Sequence, residues 1–460
     1  MRREEARALL WYHNRVMSRQ RPHTGVNYFI PVFLWIAIGL APLVETPNAL
    51  GPSLLPAPAR EYLLELLVLG LGGVFTFLSI KRAWTWSGAR VWQNTAGPYV
   101  LLLFAWGSFG LFQSPYPKFA FAEWLRTLFC FGIFAVAAYG LTREQIRRTI
   151  NGFVVLGAGM AMYGLLQFGM ARSAGETESF DRVLGLFGDN ENFGSFLMLL
   201  LPLAAQEALT RNSPELRRLG SQAAALLMLI ALVVSGTRSA WIGEVFALTV
   251  MGLLFVRERG HAPLPQRRQW GLVFATIAVV VLGALVAGNS TRMVSDRALS
   301  LANTRNLYSF TDRVHKSDAA LRMAEARPLT GWGLGTWPVV QQRWTGEGDT
   351  LAQVFARQDI WSRGGDQQSL AHDFYAQWAA ETGFSGLFCY AAAFAAFFFF
   401  ALRRLPRVRS PQMRSVLIAC LAAAAGGCLD ALTSPAYNFP GVSGLLWLCV
   451  GLGTAASLDT

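Results

Sequence analysis

The chain has 460 residues, of which 53% are hydrophobic and 15% charged, and its mean hydropathy is +0.35. That apolar content exceeds the roughly 45–50% usual for soluble domains, which excludes an ordinary water-soluble globule and fits a membrane protein. A net charge of +12 would point a soluble chain toward nucleic acid, but here the arginines collect in short links between apolar runs, where they read as a topology signal facing anionic lipid.

A membrane-crossing helix needs about 20 mostly apolar residues, and by that ruler the chain holds about twelve. Residues 1–23 are too polar for a secretory signal peptide, so the first span is expected to stay as an anchor. Spans are expected over 27–44, 62–80, 97–113, 119–141, 150–169 and 192–209. The apolar run 219–256 is too long for one helix, and Ser235-Gly236-Thr237-Arg238-Ser239 supplies a break between two. A ninth span over 270–287 leads into a long polar interval, and three more follow over 374–402, 413–432 and 441–458.

Lys and Arg collect in alternate connections: Lys81 and Arg82, then Arg143, Arg147 and Arg148, then Arg211, Arg217 and Arg218, and so on to Arg403 and Arg404. Basic residues stay on the cytoplasmic side, so both termini are placed inside and the polar interval outside. The expected fold class is therefore an all-α polytopic membrane protein. Its parts are a cytoplasmic segment (1–26), nine membrane helices (27–287), an external loop domain (288–373) and three further membrane helices (374–460). No internal repeat is evident. The five cysteines, Cys130, Cys389, Cys420, Cys428 and Cys449, all lie in apolar runs without a CxxC pair and read as small core residues.

The polar interval mixes ten basic with eight acidic residues between 288 and 372, so it is expected to fold rather than to act as a basic tail. Residues 311–327 read as a helix, with Thr311 as cap and Pro328 as stop. Pro328-Leu329-Thr330-Gly331-Trp332-Gly333-Leu334-Gly335-Thr336-Trp337 reads as a tight glycine-rich turn whose tryptophans either pack the loop onto the membrane or stack on sugar. The interval closes with Ala371-His372-Asp373. Imidazole can take a proton from a hydroxyl at neutral pH, which makes His372 the candidate base. His315 competes for the role from within the expected surface helix.

Four outer arginines accompany it: Arg182, Arg238 at the helix break, Arg313 and Arg363. Guanidinium matches phosphate geometry through paired hydrogen bonds, so these cations suit a pyrophosphate headgroup. Arg238, in an otherwise apolar stretch, either belongs to such a site or snorkels to the interface. Within the fourth span Glu123 and Arg126 stand three residues apart, where they can pair on one helix face. HExxH, P-loop, GxSxG and paired-Asp motifs are missing, so no metal, nucleotide or other cofactor is expected, and the energy must come from an activated donor such as a lipid-pyrophosphate sugar.

The motifs in order resemble those of the O-antigen ligase superfamily, which takes in O-antigen ligases and Wzy-type polysaccharide polymerases. The resemblance is carried by Arg182 through Asn192, by Thr237-Arg238-Ser239-Ala240-Trp241, by Arg313, by Arg327-Pro328-Leu329-Thr330-Gly331-Trp332-Gly333, by Ala371-His372-Asp373 and by Glu381-Thr382-Gly383-Phe384. It implies a GT-C-like membrane domain and a periplasmic loop in a bacterial inner-membrane enzyme. That enzyme would move a glycan from undecaprenyl pyrophosphate to an acceptor hydroxyl, without metal and with inversion, as a ligase to lipid A-core or as a polymerase. It implies His372 as base and Arg182 and Arg238 as pyrophosphate ligands; Arg313 is expected to join those arginines, with Asp373, Asn192 and Glu381 in support. Two residues depart from the family pattern. Glu191 stands where the pattern has Pro, and Asp373 stands for Asn, adding a carboxylate expected to orient His372 or to raise its pKa. A second reading, a transporter or flippase for a lipid-linked glycan or small anion, suits the span number, but its mid-membrane ionisable residues are few: Glu123, Arg126, Glu244 and Asp430.

Overall fold

The computed structural model describes residues 26–45, 66–68, 70–73, 95–173, 183–187, 189–209, 215–258, 307–345 and 370–459. Among these every regular element is helical. In chain order they are α1 (Val26–Glu45), α2 (Gly97–Gln113), α3 (Pro117–Ala135), α4 (Arg143–Ser173), α5 (Asn190–Leu209), α6 (Glu215–Ser235), α7 (Arg238–Arg257), α8 (Leu307–Ala326), α9 (Trp337–Thr345), α10 (Phe374–Arg404), α11 (Pro411–Asp430) and α12 (Pro440–Ser457).

Eight helices among the described residues are long and apolar enough to cross a membrane: α3 with its π-helical extension to Gly140, α4, α5, α6, α7, α10, α11 and α12. Of the twelve expected spans, that over 270–287 and most of that over 62–80 lie outside the described residues. α2 has 17 residues, and the apolar core of α1 runs from Phe29 to Leu40. The break between α6 and α7 falls at Gly236, whose φ of 70° is the left-handed conformation that glycine adopts without strain.

Two differences from the expected elements have clear causes. α4 begins at Arg143 because Thr142 and Gln145 form a capping box: the Thr142 N–H donates to Gln145 Oε1 at 2.9 Å, and the Gln145 N–H to Thr142 Oγ1 at 3.4 Å. α10 is not one straight helix, because Gly383 sits inside it at φ 74°, ψ 174° and breaks the turn.

The centre of the bundle is α5, α11 and α12, which are almost wholly buried, while α4, α6 and α7 keep one face exposed, as helices that meet lipid do. α7 packs along α11, and α5 lies between α6 and α11. Small residues make the α7–α11 approach close: a β-carbon added to Gly426 would come within 2.7 Å of the Gly243 carbonyl oxygen. The segment between α7 and α10 builds a second, smaller core. Ala319, Ala320 and Met323 of α8, Trp337, Val339 and Val340 of α9, and Ala376 and Ala380 of α10 bury one another there.

Candidate active site

The starts of α5 and α10 and the end of α11 meet around His372. Asp189 precedes α5 and caps it, its Oδ1 accepting from the N–H groups of Glu191 at 2.6 Å and Asn192 at 3.0 Å. Glu191 therefore stands in the first turn of α5, where the positive helix end favours a carboxylate. Its Oε1 accepts from Arg313 of α8, and Arg313 Nη1 also donates to the Thr433 carbonyl at 2.9 Å, just past the end of α11. Its Oε2 lies 3.8 Å from Nδ1 of His372.

His372 is only 5% exposed, and its φ of 58° makes it the one non-glycine residue with positive φ among the described residues. That conformation is uncommon for a residue with a side chain and persists only where the surroundings impose it. Here they do. The Ala371 N–H donates to Gln377 Oε1 at 3.2 Å, and the Phe374 N–H to the Ala431 carbonyl at 3.1 Å. Between them the Asp373 carboxylate caps α10, accepting from the N–H groups of Tyr375 at 2.9 Å and Ala376 at 3.1 Å.

Asp373 Oδ1 is thus engaged by the backbone of α10, not by the imidazole that the sequence reading set beside it. Burial pushes its carboxyl above the usual carboxylate range, with the two N–H donors pulling the other way. The carboxylate facing the imidazole belongs instead to Glu191. In the sequence Glu191 is only a departure from a turn pattern. The available signal is an acidic residue in a first helical turn, on the side of the expected topology that also holds the histidine.

Arg238 opens α7 beside this cluster. Thr237, just before it, donates to the Asn190 carbonyl at 2.7 Å and accepts from Asn190 Nδ2 at 3.3 Å, tying the start of α7 to the start of α5. Ser239, just after it, reaches Asp430 at the end of α11. Asp430 also accepts from Ser195 Oγ at 2.6 Å and from the Tyr437 hydroxyl at 3.0 Å. Asn192 is buried at the start of α5, and its Oδ1 finds no hydrogen-bond partner among the described residues. Arg182 and Arg363 lie outside the described residues.

Glu381 does different work. Its two carboxylate oxygens accept from the N–H groups of Gly335 at 3.0 Å and Trp337 at 3.1 Å, pinning the glycine-rich turn onto α10. The Trp332 N–H donates to the Ala380 carbonyl and the Gly333 N–H to the Glu381 carbonyl. The tryptophans of this turn pack rather than present faces to solvent. Trp337 is fully buried, and Trp332 donates to the Met323 carbonyl under the Arg327 guanidinium. His315 binds the Thr345 carbonyl at 2.8 Å, closing α8 onto α9.

A cleft opens between α2, α3, α10 and α12, with Phe374, Trp378, Tyr390 and Trp447 on its walls. Its charged feature is the buried Glu123–Arg126 pair of α3, 3.0 Å apart, with Thr127, Asn438 and Ser443 also on its lining. Phe374 and Tyr437 stand between this cleft and the His372 cluster, their rings 6.2 Å apart.

A bundle of buried and half-exposed apolar helices whose polar side chains converge at one end defines the class: a multi-pass membrane protein with its candidate chemistry at one face. Residues 223–391 match the family model described as O-antigen ligase. The match supports the O-antigen ligase superfamily, and with it a role in polysaccharide assembly. It contains Arg238, Arg313, His372 and Glu381 and stops short of Glu191. No curated protein matches the chain.

Proposed function

We propose that the protein is an inner-membrane glycosyltransferase that moves a glycan from undecaprenyl pyrophosphate to an acceptor hydroxyl at the periplasmic face. The observation that carries this reading is the buried His372 held at one end of the bundle, within a stretch that matches O-antigen ligase. His372 accepts the proton of the attacking hydroxyl as the new carbon–oxygen bond forms at the anomeric centre. The bond from that carbon to the pyrophosphate oxygen breaks, and its electron pair leaves on the pyrophosphate. Attack opposite the leaving group inverts the centre.

Arg182 and Arg238 hold the departing anion and stabilise the charge it gains, with no metal in the reaction. Arg313, whose terminal nitrogens are engaged by Glu191 and Thr433, serves the base rather than the pyrophosphate. The cleft beside Phe374 takes the apolar chain next to the headgroup. Both termini lie in the cytoplasm.

Reconstitution with a polyprenyl-pyrophosphate oligosaccharide, with and without lipid A-core, tests the reading. Longer lipid-linked chains identify a polymerase, and glycosylated lipid A-core a ligase. Translocation across the vesicle without release of polyprenyl pyrophosphate would replace the transferase with a flippase.

A further inference from the structure

We infer that Glu191 is the positioning residue of the site: its carboxylate holds His372 by Nδ1 and leaves Nε2 as the nitrogen that meets the acceptor hydroxyl. The inference rests on the reading of His372 as the base. It starts from two buried groups that lack hydrogen-bond partners among the described residues, Oε2 of Glu191 and Nδ1 of His372, which face each other at 3.8 Å. That separation is longer than a hydrogen bond, and catalytic hydrogen bonds commonly shorten only when substrate is bound.

Everything around Glu191 fixes the direction of that oxygen. Its backbone is held by the Asp189 cap, and Arg313 takes the other carboxylate oxygen while anchored to Thr433. His372 in turn is held at positive φ by bonds from the residues on both sides. Asp373, the carboxylate next in sequence, is turned to the α10 backbone. Among the described residues the charged groups of this cluster are Glu191 from α5, Arg313 from α8, Arg238 at the start of α7 and Asp373 from the histidine's own segment, with Asp430 at the end of α11 acting through Glu191.

A neutral imidazole carries one proton, and with Nδ1–H aimed at a carboxylate the lone pair is on Nε2. When Nε2 takes the proton of the hydroxyl, the imidazolium forms beside a negative charge already in place. The same logic gives Glu191 and Arg313 opposite influences. Removing the carboxylate disfavours the imidazolium, so the loss of activity at acid pH moves to lower pH. Removing the cation leaves the carboxylate uncompensated, so that loss moves to higher pH.

The test uses the full chain in liposomes with a polyprenyl-pyrophosphate oligosaccharide plus lipid A-core, scoring released polyprenyl pyrophosphate across pH. Glu191→Gln is expected to lower kcat by up to about 10²-fold with KM little changed, and to move the acid limb toward lower pH. Arg313→Gln is expected to move that limb up. Glu191→Asp, which keeps the charge, recovers part of the rate and leaves the limb where it is in the wild type; it also serves if the Gln variant does not fold. Glu191→Gln on a His372→Ala background adds no further loss.

If His372→Ala abolishes transfer while Glu191→Gln and Glu191→Asp keep the wild-type rate and acid limb, the inference is wrong and the reading of His372 stands. Shifts of the limb in the same direction for the Gln variants of Glu191 and Arg313 would also overturn it. Full transfer by His372→Ala would remove the reading itself.

Discussion

Two buried glutamates bracket the first segment of α10, and they are used in opposite ways. Glu381 gives both oxygens to backbone N–H groups of the glycine-rich turn, so every group in that contact is satisfied. Glu191 gives one oxygen to Arg313 and keeps the other toward His372 without a hydrogen bond. Both regions also contain left-handed backbone. At the turn the positive φ falls on Gly331, Gly333, Gly335 and Gly383, which adopt it without a steric penalty, whereas at the site it falls on a histidine. A fully paired carboxylate on a glycine scaffold is architecture. A half-paired one beside a side chain in an unfavourable conformation is the arrangement on which the proposed base and its positioning residue rest.

The sharpest way to break the comparison is to remove its chemical half. His372→Ala is expected to reduce transfer by about 10²- to 10⁴-fold while leaving elution volume and unfolding temperature near those of the wild type. The architectural half should respond the other way. Glu381→Ala strips two buried N–H groups of their acceptor, at about 1–3 kcal/mol each, and should show as a large drop in unfolding temperature. Normal stability after that substitution would mean that the turn is held by something else.

Gly426→Val tests whether close helix approach underlies the α11 face that carries Asp430. A side chain there meets the Gly243 backbone and should cost about 1–3 kcal/mol, measured by thermal or denaturant unfolding in detergent. Glu244 is buried in α7 with no hydrogen-bond partner among the described residues for either oxygen. Glu244→Leu should therefore stabilise the protein, by about 1 kcal/mol or more. A loss of stability on that replacement would assign the carboxyl a role that neither Glu191 nor Glu381 explains.

The smallest effect is expected at Asp373. Its carboxyl is raised in the folded state, so the stability it lends is fully present below the usual carboxylate range and is lost as pH rises through the raised value. Asn caps a helix about as well as Asp, so Asp373→Asn should keep α10 stable and flatten that part of the stability–pH curve. Asp373→Ala should lose about 0.5–2 kcal/mol through loss of the cap and flatten the same part of the curve.

Much of the bundle was legible in the amino-acid order because each feature depends on local chemistry. Apolar runs of span length marked α3, α5, α10, α11 and α12, Gly236 marked the break before α7, and Pro328 marked the end of α8. His372 also stood out, as a histidine where a polar stretch meets an apolar one. The kink at Gly383 was hidden, since its cause is a distant backbone: a β-carbon there would lie 2.5 Å from the Leu329 carbonyl carbon. The carboxylate partner of His372 was hidden for the same reason. Asp373 is adjacent in sequence and suggests itself, yet a side chain one residue before a helix is pulled to the helix N–H groups. Glu191 is far away in the chain and reaches the imidazole only because α5 and α11 pack side by side, with Arg313 brought down onto both. Hydrophobic pattern by itself determined which segments are helices and where the long ones break. Only the tertiary structure decided which carboxylate the histidine meets, because that depends on which helix ends are brought together.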